Sequence, residues 1–292
     1  MKDNLSLVIL AGGASTRMKK YIQSNSSISE DENSQANNRS KALISIDVNG
    51  RPILDYLLYN AKKAGYTTIY IITGEDNFLF KNFYGKENEA NVFNGLTINF
   101  AIQYIQKDRE KPFGTADALY QAMIQYPILK TISFTVCNSD NLYSINAFEL
   151  LKTRNSYPNA LISYDRDYLQ FSIDRISRFA LLSIAQNNCL KSIIEKPRID
   201  EITSFKDRNG KLRVSMNIFR FDGELFFYYL ENCTINQSRN EKELPTSLLN
   251  MINDYPNSTI TIPLEEHVPD LTSKEDINIL KEYVIDIDIS SF

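Results

Sequence analysis

The chain has 292 residues, 43% hydrophobic and 23% charged, enough apolar material for one large α/β domain or two small ones. Its 32 Lys and Arg against 36 Asp and Glu leave a net charge of −4, which excludes the basic footprint of a nucleic-acid binder. No run approaches the ~18 apolar residues of a membrane span. Cys137, Cys189 and Cys233 are too widely spaced for a disulfide framework or a zinc pattern. The expectation is a cytoplasmic protein with reduced thiols and with neither nucleic acid nor membrane among its partners.

In chain order, Leu5 to Leu10 reads as an apolar strand that empties into Ala11-Gly12-Gly13-Ala14-Ser15-Thr16-Arg17-Met18. Small residues let the backbone turn tightly and approach a ligand with its N–H groups outward. Arg17 adds a permanent charge and a planar donor fork. Together these make a phosphate site, with a triphosphate as its natural guest. The spacing fits neither a Walker loop nor a dinucleotide fingerprint. Residues 19–39 are dense in Ser, Asn, Gln, Glu and Asp and read as a long flexible loop. An apolar rhythm returns at Ala42 to Ile46, a turn is marked by Asn49-Gly50, and Pro52 to Ala64 places its apolar residues on one helical face.

Thr67 to Thr73 and Leu96 to Tyr104 follow as strands, Gly114 to Tyr126 as a helix, and Ile132 to Cys137 as a strand. This alternation predicts an α/β fold with a Rossmann-like, mostly parallel central sheet and helices on both faces. From about Asn155 the pattern is richer in strands: Ala160 to Tyr164, Arg178 to Ile184, Leu190 to Glu195 and Leu212 to Phe221, before a closing helix from Lys274 to Val284. We read one domain over 1–292 in two halves, 1–154 with the polar loop 19–40 and 155–292 with the closing helix. No internal repeat is present in the sequence.

The segment Leu10-Ala11-Gly12-Gly13 through Thr16-Arg17-Met18 resembles the signature of the sugar-phosphate nucleotidyltransferases, with Ser15 where a third glycine is usual. Further matches follow in the family's order. Lys41, in Ser40-Lys41-Ala42-Leu43, stands where the family's phosphate-binding lysine does, after a longer loop than usual. Gly114-Thr115-Ala116-Asp117-Ala118-Leu119 resembles the segment beside the base, and either Gln103 or Gln106 stands where a strand-end glutamine faces the base edge. Asp140, at the end of an apolar strand, resembles the family's metal-binding aspartate. Glu195-Lys196-Pro197 and Asn217 resemble the sugar-phosphate contacts, although Ile218 replaces the glycine usual after the asparagine.

The resemblance implies a GT-A-like nucleotidyltransferase fold and a Mg2+-dependent reaction between a nucleoside triphosphate and a sugar 1-phosphate or another phosphomonoester, as in nucleotide sugar biosynthesis. It also implies roles, with 1–154 the nucleotide-binding half and 155–292 the sugar-phosphate-binding half. Arg17, Lys41 and Asp140 are the catalytic candidates, with Asp140 and Asp270 the metal ligands. Asp270 lies in Asp270-Leu271-Thr272-Ser273, where a capping arrangement with Asp276 is the competing reading. Two other readings stand beside this one: transfer to a non-sugar phosphate such as phosphocholine, and a silent subunit that senses nucleotide sugars. His267, the single histidine, reads as structural or solvated.

Overall fold

In a computed structural model the chain is described at residues 5–13, 18–19, 28–153, 156–195 and 201–292. The elements of the first half are β1 (Ser6–Leu10), α1 (Glu30–Asn38), α2 (Ile53–Lys63), β2 (Thr68–Thr73), α3 (Phe78–Tyr84), β3 (Asn91–Phe93), β4 (Leu96–Ile102), α4 (Thr115–Gln125), β5 (Ser133–Asn138) and α5 (Ile145–Lys152). The second half contributes β6 (Asn159–Asp165), α6 (Ile173–Ile176), β7 (Leu181–Ile184), β8 (Leu190–Ile194), β9 (Arg213–Val214), β10 (Ile218–Asp222), α7 (Gly223–Glu231), α8 (Leu244–Asp254), β11 (Thr259–Leu264) and α9 (Asp276–Val284).

One sheet runs through both halves. β4, β2, β1 and β5 are parallel neighbours, β3 pairs antiparallel on the outer edge, and β10 enters antiparallel beside β5. β6 then pairs antiparallel with β10 and parallel with β11, so the sheet is mixed but mostly parallel. Successive side chains of β1 face opposite sides: Leu7 and Ile9 enter one apolar cluster and Val8 the other, all fully buried. Cover on both faces is the reason these strands read as continuous apolar runs. α2, α3 and α5 pack one face, and α4, α7 and α8 the other. The carboxyl ends of β1, β2, β4 and β5 meet along one edge, where open α/β sheets bind ligands.

The polar stretch expected as a flexible loop contains a helix. α1 begins with a capping box, in which the Ser29 hydroxyl accepts from Glu32 N and the Glu32 carboxylate accepts from Ser29 N. Its anchorage is mostly polar: Glu32 ion-pairs with Lys281 of α9, Asn33 accepts from Lys274 at 2.7 Å, and Gln35 accepts from Ser45 N at 3.0 Å. Only Ala36 of α1 enters the third apolar cluster, beside Ile44, Ile277 and Leu280. The strand expected over Leu212 to Phe221 is broken in two by Asn217, whose φ of 56° is the left-handed region that asparagine tolerates. The closing helix starts at Asp276, and the strand expected from Arg178 starts at Leu181. Among the described residues no helix is long and apolar enough to cross a membrane.

Candidate active site

Leu10 and Asn138 are register partners at the ends of β1 and β5, and each lines a cavity of its own. The smaller, about 280 Å3, is lined by Leu10, Gly12, Gly13, Gln103, Gly114 and Thr115, among others. The larger, about 910 Å3, is lined by Asn138, Asp140, Glu195, Asn217 and Asp270, with Arg175, Arg178 and Arg239. The candidate nucleotide residues thus gather in one cavity and the candidate acceptor and metal residues in its neighbour. Gln106 does not line the smaller cavity and is exposed, whereas Gln103 is 3% exposed and does line it. Of the two glutamines left open in the sequence, Gln103 is the one that lines this cavity. Ala11 is buried, its N–H donating to Ile72 O at 2.8 Å, so it shapes the turn beneath the cavity. Arg17 and Lys196 lie outside the described residues.

Gly114 opens α4 at a φ of 104°, and a Cβ there would come within 2.3 Å of the Lys242 carbonyl oxygen. The glycine therefore accommodates the chain's own backbone: Lys242 O accepts from Ala116 N at 3.0 Å, and Thr115 Oγ1 accepts from Leu244 N at 3.0 Å. One of the first-turn N–H groups of α4 is thus already satisfied by the loop before α8.

Lys41 and Asp140, 99 positions apart, are joined by an ion pair of 2.9 Å between Nζ and Oδ2. A short 3-10 turn, Lys41–Leu43, carries the lysine, and the Ser40 hydroxyl donates to Ala11 O at 3.3 Å, fastening that turn to the glycine segment. Asp140 follows β5. Its carbonyl accepts from Leu271 N at 2.8 Å, and Asn141 bridges antiparallel to Asp270. The two candidate metal carboxylates therefore sit on paired backbones.

Asp270 is also held by Arg175, whose guanidinium grips Asp276 as well, with Nη1 2.6 Å from Asp276 Oδ1. Asp276 Oδ2 accepts from Thr272 N and Ser273 N at 2.9 and 2.7 Å, which ties down the loop before α9, whose N-cap residue Glu275 makes no side-chain cap. Asp270 lines the larger cavity, and Asp276 holds the loop that carries it.

Asn217 is positioned by Tyr143, whose buried hydroxyl donates to Met216 O at 2.7 Å and Asn217 O at 3.2 Å. Burial raises the Tyr143 phenol well above its ordinary range and keeps it a donor. Glu195 is paired with Arg239 at 2.9 Å, and Arg239 also reaches Glu243 at 2.5 Å. Arg175, Arg178 and Arg239 went unread in the sequence because each stands in a segment without a motif. His267 packs edge-on against Phe171 and accepts from Gln170 N at 3.1 Å. Burial and the Arg175 charge lower its pKa to about 4.

Comparison with known proteins gives concordant likenesses. A family model described as nucleotidyl transferase matches residues 36–261. The bifunctional protein GlmU of Methanococcus vannielii is 26% identical over 250 residues, covering 85% of this chain and 48% of the relative, so the chain spans about half that protein's length. A Bacillus anthracis structure assigned as a glucose-1-phosphate thymidylyltransferase, in complex with sucrose, superposes with a TM-score of 0.66 at 18% identity, covering 97% of this chain and 96% of the other. A UDP-glucose pyrophosphorylase complexed with UDP-glucose gives a TM-score of 0.68 at 13% identity, covering 97% and 99%. At these identities the two structures are likenesses of fold.

Proposed function

We propose, from the premise that this chain belongs to the nucleotidyl transferase family, that it transfers a nucleoside monophosphate from a nucleoside triphosphate to a sugar 1-phosphate. The observation that carries this reading is the pair of cavities lined by Leu10 and by Asn138, with Asp140 of the larger one ion-paired to Lys41. Names among the relatives, a thymidylyltransferase and a UDP-glucose pyrophosphorylase, agree with it.

In the reaction, an oxygen of the acceptor phosphate attacks the α-phosphorus in line. A new P–O bond forms, the bond from the α-phosphorus to the β-bridging oxygen breaks, and pyrophosphate leaves with that electron pair. The attacking oxygen is already anionic, so no general base is required, in keeping with the chain's single histidine lying outside the cavity linings. The difficulty is bringing two polyanions together, which makes positioning and charge neutralisation the protein's contribution. Gly12 and Gly13 border the nucleotide, Lys41 faces the triphosphate, and Glu195 and Asn217 meet acceptor hydroxyls. Arg17 takes the leaving pyrophosphate and Lys196 the incoming phosphate, the roles that the family resemblance implies.

Asp140 and Asp270 fit a magnesium ion. They line one cavity on paired strands of backbone, and magnesium takes one or two carboxylates while keeping phosphate oxygens and waters. Among the described residues no group of three or more His, Cys, Asp or Glu forms an all-protein cage, and such an ion does not need one. Bound there, magnesium supplies charge neutralisation at the phosphates. Lys41 and Arg175 are the chain's own counter-charges to the same two carboxylates.

The test is a pyrophosphate-release screen of the common triphosphates against a panel of sugar 1-phosphates, with phosphocholine included. Release requiring both a triphosphate and a sugar 1-phosphate is the expected result. Release with phosphocholine alone moves the acceptor class, and silence across the panel overturns the reading.

A further inference from the structure

Arg175 stands on the short helix α6 and meets two carboxylates from the segment that leads into α9. Its guanidinium pairs with Asp270, while Nη1 and Nη2 lie 2.6 and 3.3 Å from Asp276 Oδ1 and Oδ2. The same guanidinium stacks over the Phe171 ring, 4.4 Å from its centroid. Arg175 and Asp270 both line the larger cavity, with side chains 23% and 12% exposed, so their pairing is only partly screened by water.

Asp270 does not depend on Arg175 for its position. Its backbone bridges antiparallel to Asn141, Leu142 N donates to Pro269 O at 2.9 Å, and Leu271 N donates to Asp140 O at 2.8 Å. Thr272 Oγ1 donates to Asp270 Oδ2 at 3.3 Å, and Thr272 N is held in turn by Asp276. The loop is therefore fixed on both sides of Asp270, and what Arg175 adds is charge. Arg175 is equally independent of Asp270. When that carboxylate turns to another cation, the guanidinium keeps its two-pronged pairing with Asp276 and its seat on Phe171.

Resting on the magnesium assignment above, we infer that Arg175 is the resident counter-charge that a divalent ion displaces from Asp270, and that it holds the ion affinity of the site below what the two carboxylates alone would give. A guanidinium within ion-pair distance of a carboxylate opposes a second cation on the same group. A residue that merely oriented the carboxylate would have the opposite effect, since losing such an outer partner lowers metal affinity about 10- to 100-fold. The sign of the change separates the two roles.

Titration with Mn2+, followed by the paramagnetic resonance of the free ion, tests this on the full chain with neither triphosphate nor acceptor present. Arg175→Met should bind Mn2+ about 5- to 30-fold more tightly than the parent. Arg175→Gln, which loses the charge but still donates to Asp276, should show the same gain. Arg175→Lys keeps a positive charge and should stay within about threefold of the parent. Adding Asp270→Asn to Arg175→Met should abolish the gain, because the charge acts through that carboxylate.

Equal or weaker Mn2+ binding by either neutral variant overturns the inference; weaker binding by Asp270→Asn alone then leaves the magnesium assignment standing. A gain that survives Asp270→Asn overturns the inference as well. Mn2+ binding to none of these chains overturns both.

Discussion

The Lys41–Asp140 pair gives the sharpest perturbation, because its two members meet only through the tertiary fold. Their side chains are 11% and 26% exposed, so the pair lies between a solvated surface bridge and a buried one. Exposed pairs contribute about 0.2–1 kcal/mol, while breaking a buried pair costs about 3–5 kcal/mol. A coupling of about 1–2 kcal/mol is the interpolated value for the two residues. For a chain of this length that corresponds to a Tm change of roughly 2–3 °C. Lys41→Met, Asp140→Ala and the double variant should be compared by denaturant unfolding and by pyrophosphate release. Each single variant should lose about two to three decades of turnover, the scale of removing one transition-state charge partner. The double variant should lose less than the product of the singles, since the residues act as a unit. Additive stabilities together with additive rate losses would refute the coupling and, with it, the placement of the lysine beside the aspartate.

Two further outcomes follow from local geometry. His267 carries a pKa of about 4 in the folded chain against 6.5 for an ordinary imidazole, so between those values the unfolded chain binds more protons. Its contribution is complete above pH 6.5 and is lost as the pH falls toward 4, about 1–2 kcal/mol for a ring that retains some solvent contact; His267→Phe should flatten that part of a Tm-against-pH curve, and an unchanged slope would count against the assignment. Gly114→Ala should destabilise by about 2–4 kcal/mol, combining a positive φ with a new contact on the Lys242 carbonyl. Unfolding midpoints within experimental error of the parent would show that this turn has room to relax.

The sheet was legible in the sequence because its strands are buried on both faces and therefore spell continuous apolar runs, as in Leu7-Val8-Ile9 and Ile69-Tyr70-Ile71-Ile72. α1 was not, because it is held by the Ser29–Glu32 capping box and by polar bonds from Glu32, Asn33 and Gln35, and composition alone cannot tell such a helix from a loop. The break at Asn217 escaped for a related reason: a single residue with positive φ changes strand direction without altering the apolar pattern around it.

At the site, short motifs marked Gly12, Gly13, Gly114 and Asp140, which line the two cavities, and Lys41, which pairs with Asp140. The arginines Arg175 and Arg239 were not, since their meaning lies in the carboxylates they meet from 44 to 101 positions away. Choosing Gln103 over Gln106 required knowing where β4 ends.

The central claim is that the chain joins the α-phosphorus of a nucleotide to the phosphate of an acceptor across the ends of β1 and β5. Phosphorus NMR of the purified chain with magnesium, a triphosphate and a sugar 1-phosphate reads those bonds directly. The expected products are inorganic pyrophosphate and, in equal amount, a new diphosphate whose two phosphorus atoms are coupled to each other. Inorganic phosphate with a nucleoside diphosphate, or an acceptor signal that never changes, would contradict it.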